Sequence, residues 1–201
     1  MKRISALSGL LALTAIVTAC GGILTSDQPV KQTYILQPWS VPSGDFAGDS
    51  WPTLALTVTA VPGLDTDYIQ AIGTDARMHQ YANARWADFL PEVLASVMRR
   101  SLSTADRFTA VKASPAPDTD DWVLALEAQQ FYGIQDSGGS TSSVSVRFEG
   151  LLRCKDTDHQ LQMKSSRPVR EERLSVVVRA HQQALDDVTQ QLLELITKNC
   201  Q

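Results

Sequence analysis

This chain of 201 residues is short of the side chains that most catalytic and metal centres need. It has only three histidines, and His79, His159 and His181 are scattered, without the ligand spacing of a zinc site. His181 falls on an apolar helix stripe, where a core histidine is the ordinary reading. No Gly-x-Ser-x-Gly elbow occurs. Gly138, Gly139 and Ser140 lie between two strand-like runs instead of opening a helix, which argues against a phosphate loop or a nucleophile elbow. Asp118, Asp120 and Asp121 lack the glycine and distal glutamate of a calcium loop and read as a solvated turn. Neither sign of charge forms a block, and the net charge is −4, which argues against nucleic acid and against a polybasic membrane patch. The residues therefore give no catalytic group, no metal and no cofactor.

Long apolar runs are also missing, with one exception. Ile4 to Val17 follows Lys2 and Arg3 and gives way to Gly21 and Gly22 after roughly sixteen residues, short of the about 20 that span a bilayer. A basic start, an apolar middle and small residues before a cut site make residues 1–19 a signal peptide. Val17, Thr18, Ala19 and Cys20 resemble the bacterial lipobox, so Cys20 is the expected lipidation site, with palmitate-type acyl chains. Two lipid signals already hold a protein stably on a membrane. Removal of the signal leaves about 182 residues, the size of one domain. Such processing places Cys154 and Cys200 in an oxidising compartment, where thiols pair. They lack the close spacing of a redox pair, so a structural disulfide is expected. It would stabilise the fold by roughly 4 kcal/mol on the chain-entropy model.

Residues 20–32 read as a lipidated tether reaching roughly 20 Å as a random coil, followed by a single domain at 33–201. Thr33 to Gln37 is a short strand-like run stopped by Pro38, and the loop from Trp39 to Pro52 is long enough to suggest function. Leu54 to Val61 alternates with period two, as a half-buried strand does. Tyr68 to Ile72 and Ala76 to Tyr81 read as short strands about Gly73. Trp86, Phe89, Leu90, Val93, Leu94, Val97 and Leu102 keep helical spacing. The expected helix runs over 88–103, with Pro91 in its first turn and Asp88 as its cap. Phe108 to Lys112 is a short strand, and Trp122 to Ile134 and Val144 to Cys154 form a hairpin. A third strand at 159–169 leads into a final amphipathic helix at 171–198. One apolar face per strand and two amphipathic helices predict an α/β two-layer sandwich, a mixed sheet with both helices on one face.

Tyr34, Trp39 and Trp51, in or beside the loop, are candidates for contact with a partner. Trp86 reads as a core anchor at the helix start, with a lipid-contacting patch as the alternative that adds it to the partner-binding candidates. The tether, Tyr34-Ile35-Leu36, Val61-Pro62-Gly63-Leu64-Asp65, Tyr68-Ile69 and the segment Ala84 to Leu90 together resemble the ABC-type transport auxiliary lipoprotein family. Gly63 replaces a bulkier residue, and Asp88 and Phe89 replace the more usual Glu and Pro. The resemblance implies a non-catalytic, periplasm-facing lipoprotein working with ABC transporter or MCE-domain components that move lipids between membranes. It adds Leu64 and Asp65 to the partner-binding candidates. Gly21, in place of the aspartate that retains enteric lipoproteins at the inner membrane, favours the outer membrane. A structural envelope lipoprotein without a transport role is the competing function. Weak sheet edges and a Thr-rich second face allow a homo-oligomer.

Overall fold

The computed structural model describes residues 30–40, 50–113, 122–155 and 157–200. The signal segment, Cys20, the tether before residue 30, the middle of the 39–52 loop and Asp118, Asp120 and Asp121 lie outside the described residues. The elements are β1 (Gln32–Tyr34), β2 (Leu54–Ala60), a 3-10 turn (Pro62–Leu64), β3 (Tyr68–Ile72), β4 (Met78–Trp86), α1 (Leu90–Ser103), β5 (Val111–Ala113), β6 (Trp122–Gln135), β7 (Thr141–Cys154), β8 (Thr157–Pro168) and α2 (Leu174–Cys200).

Strand β6 organises a mixed sheet. One of its edges pairs antiparallel with β7, which pairs in turn with β8. Two strands share its other edge: β2 runs parallel beside Trp122 to Ala128, and β3 runs parallel beside Gly133 and Ile134. The sheet therefore forks, with β5 beyond β2, and with β4 and then β1 beyond β3. A bulge marks the fork, where pairing steps from Ala128–Phe148 to Gln130–Arg147. The extra residue shifts the alternation by one, so the buried positions Trp122, Leu124, Leu126 and Ala128 are followed by Phe131.

Both helices cover the same face. Leu94, Val97, Met98 and Leu102 of α1 and Ala184, Leu185, Val188, Leu192 and Ile196 of α2 are buried in one core with Leu54, Leu124, Val146, Phe148 and Leu161. On the opposite face Thr57, Thr59, Ala125, Glu127, Leu151, Gln160 and Gln162 are exposed. This is the expected two-layer sandwich.

Side chains of α2 also fasten the sheet's edges. The Gln191 amide accepts from Lys164 N–H at 3.3 Å and donates to Lys164 C=O at 3.1 Å, as a neighbouring strand would. Gln182 makes the same two-point bond with the backbone of Gln37, at 2.7 and 2.9 Å. The two glutamines stand about 14 Å apart along the helix; Gln191 blunts backbone groups that the open edge of β8 would offer to another chain, and Gln182 holds the segment after β1. Arg167 of β8 grips Asp187 with two nitrogens, and Ser165 Oγ donates to the same carboxylate at 2.6 Å. Cys154, ending β7 on the core face, is joined to Cys200 at the end of α2, with Cα atoms 5.7 Å apart.

Several boundaries differ from expectation. Strand β1 stops at Tyr34, and residues 35–40 form an irregular strap over the helices. Leu36 of the strap is buried, and its Trp39 N–H donates to Ser101 Oγ at 2.8 Å. Strand β4 continues to Trp86, so this tryptophan ends a strand instead of opening a helix. Helix α1 begins at Leu90 with Phe89 as its cap residue, and the Asp88 carboxylate accepts from Phe89 N–H at 2.8 Å. Strand β5 occupies Val111–Ala113, three residues later than expected, while Phe108 forms an isolated bridge with Trp51.

Two core positions give measurable consequences. Gly150 faces Leu126 and Leu161 across the sheet, and a Cβ there would lie 2.3 Å from the Ala125 carbonyl oxygen. Gly150→Ala is therefore expected to force β6 and β7 apart and cost about 1–3 kcal/mol. Thermal denaturation should show a melting point several degrees lower, and an unchanged one would contradict the close approach. His181 is fully buried between Phe131 (4.9 Å) and Trp86 (5.5 Å), and its Nδ1 donates to Val177 C=O at 3.0 Å. Burial lowers its pKa to about 4, against the opposing effect of the Val177 carbonyl. The unfolded chain then binds a proton below about pH 6.5 that the folded one refuses. Stability is full above that pH and falls towards pH 4, by about 1.4 kcal/mol per unit from this group. His181→Phe should flatten the melting profile over that window, and an identical acid slope would refute the assignment.

Candidate docking surface

Three segments distant in sequence meet at one corner of the sheet. Parallel pairing of β1 with β4 sets Tyr34 opposite Trp86. Trp86 N–H donates to Asp67 C=O at 2.7 Å, and Leu90 N–H donates to Thr66 C=O at 3.0 Å, which ties the turn after β2 to the start of α1. Pro62 opens that turn, where its fixed φ suits the first position and its missing N–H costs nothing. A Cβ on Gly63 would have nothing within 4 Å, so the bulkier residue expected there would fit.

The corner is sorted by the local backbone. Leu36, Leu64, Trp86 and Leu90 turn inward, each at most 2% exposed. Their neighbours Ile35 and Phe89 turn outward, 62% and 54% exposed, and Asp65, which follows Leu64, is also exposed. Ile35 enters a groove of about 190 Å³ with Ala87, Val93 and Val97, and Asp88, Glu92 and Arg100 also line it. Solvation of the large apolar Ile35 side chain at this groove is unfavourable, and a partner's apolar side chain would relieve it. Charges of both signs in the groove wall can orient that partner.

The sequence-predicted partner residues divide accordingly. Trp51, Leu64 and Trp86 are buried, which removes them from the surface a partner could touch. Trp51 packs on Phe108 at 4.9 Å and Trp122 at 5.6 Å, with the Arg107 guanidinium 4.1 Å over its ring. Trp39 is half-buried in the strap against the helix layer. Tyr34 is half-buried, its hydroxyl donating to Gln32 Oε1 at 2.7 Å. Asp65 alone of the six is exposed. Ile35 and Phe89 were missed, although each borders a residue that the motif places inward. Among the described residues no group of three His, Cys, Asp or Glu side chains could hold a metal, and no helix is long and apolar enough to cross a membrane.

Solved structures share this fold. The crystal structure of a Xanthomonas campestris protein superposes with a TM-score of 0.70 at 21% identity, covering 82% of this chain and 94% of that one. An uncharacterised protein superposes with a TM-score of 0.67 at 15% identity, over 84% and 99% of the respective chains. A comparison with curated proteins finds no match. The model of one family matches residues 45–192, which contain β2 to β8, α1 and most of α2. The chain belongs to the family described as the ABC-type transport auxiliary lipoprotein component.

Proposed function

We propose that this protein is a non-catalytic docking subunit, lipidated at Cys20, that faces the periplasm and binds a component of a lipid-moving transport system through the Ile35–Phe89 corner. The family description supports an auxiliary role with an ABC transporter. The partner is an ABC transporter subunit or an MCE-domain protein, and the transported class is lipid moving between the membranes. Gly21 in place of aspartate supports the outer membrane as the site of the anchor. The disulfide supports an oxidising compartment.

The observation that carries this reading is the corner itself. The segments that carry the family resemblance bury four side chains there, leave Ile35 exposed at a groove, and leave Phe89 exposed next in sequence to Asp88 of the groove wall. An apolar residue at the exposed Ile35 position, beside a groove with charged residues in its wall, supports contact with a partner there.

Capture from solubilised membranes tests it. Full-length wild type is expected to retain MCE-domain or ABC transporter components, and Ile35→Asp with Phe89→Asp to retain at least about tenfold less, as loss of interface anchors does. The melting point should not move, since both positions are exposed. Equal capture by the variant would overturn the corner as the docking site, and no capture of transport components by wild type would overturn the function.

A further inference from the structure

A second cleft lies where the tether joins the domain. Between Gln70–Gln80 and Tyr68–Arg85 the pairing of β3 with β4 breaks, so two steps along β3 are matched by five along β4. The surplus residues arch away from β3, and Asn83 takes a left-handed backbone conformation with φ of 57°. The arch encloses about 330 Å³ together with Lys31, Asp67 and Tyr68. Tyr81 forms one wall and is fixed by a hydrogen bond between its hydroxyl and Thr141 Oγ1.

Two cations and one carboxylate line this space. The Arg85 guanidinium stands 3.6 Å from the Asp67 carboxylate, beyond hydrogen-bond distance, with its side chain 46% exposed. Its N–H donors are thus open to an oxyanion held more closely. Lys31 is exposed and in no ion pair among the described residues. Gln80, Asn83 and the exposed Tyr68 add neutral polar groups. The net charge of +1, presented by an arginine fork and a lysine, matches a phosphate.

We infer that this cleft binds the phosphate headgroup of a membrane phospholipid. The inference rests on the lipid-anchor part of the proposed function and is independent of the transport partner. Lys31 lies eleven residues after Cys20, a length of chain that spans at most about 40 Å. A lipidated Cys20 would therefore hold the cleft beside the headgroup layer, where the local concentration of phosphodiester is high enough for a modest site to fill. Free phosphate has no such advantage.

Native mass spectrometry of the full-length lipidated protein released from detergent tests the site, with added dihexanoyl phosphatidylglycerol as probe. One bound phospholipid per chain is expected. Lys31→Gln with Arg85→Gln should weaken that binding at least about tenfold, as loss of charge-assisted hydrogen bonds does, with no change in melting point because both side chains are exposed. Equal retention by the variant, or no adduct on wild type, would overturn the site. Inorganic phosphate that displaces the lipid at equal concentration would mark a free-phosphate site and overturn the lipid assignment. The assay contains no transport component, so its failure is distinct from a failure of capture.

Discussion

Helix α2 buries Ala184, Leu185, Val188, Leu192 and Ile196 against a single face of the sheet, and its polar flank holds the β8 edge and the strap after β1. Burial of this stripe is the main stabilising contribution, about 25 cal/mol per Å² of apolar surface removed from water. The glutamines add less energy than position. Gln191 fixes β8 and Gln182 fixes the strap, so the helix sets where one edge of the sheet and the segment leading out of β1 come to rest. The disulfide from Cys154 to Cys200 secures the helix end that would otherwise fray.

That placement reaches the corner. Because Gln182 satisfies both backbone groups of Gln37, the strap lies down over the helices and Leu36 is driven into the core. The next residue towards the tether, Ile35, must then point to solvent. A similar constraint acts at Phe89, which caps α1 while Leu90 enters the core. The exposed pair is thus a product of two well-held neighbours, and a rigid apolar site loses little entropy on binding.

Periodicity made the long elements legible. The alternation of Leu54 to Ala60 and of Val144 to Cys154, and the helical stripe from Val177 to Ile196, each reflect burial on one face, so the two-layer sandwich could be read directly. The ends were harder. Trp86 fits both a helix stripe and a strand's last inward position, and pairing with Tyr34, fifty-two residues away, decides for the strand. The bulge after Ala128 is set by the fork of the sheet, which no local pattern encodes. Trp51 suggested a surface because tryptophan often marks one, yet it found aromatic neighbours in the core, while Trp86 is the core anchor its helical-stripe position suggested, held on a strand end instead of a helix. Ile35 and Phe89 had no local signal, since an exposed apolar residue beside a buried one looks like ordinary core. The β4 arch likewise arises from a pairing mismatch with β3 that only the register shows.

A disulfide-linked α/β domain with the proposed lipid anchor would suit a subunit whose contribution is position. Such an anchor would limit where the corner can meet a partner and raise its effective concentration at the membrane. Under the proposed function, anchoring is a requirement separate from folding. The direct measurement is complementation of a deletion strain by Cys20→Ala, with melting point and thiol content measured on the same variant. The domain is predicted to remain folded with Cys154 and Cys200 joined while function in cells is lost. Full complementation by the unanchored protein would contradict the central claim.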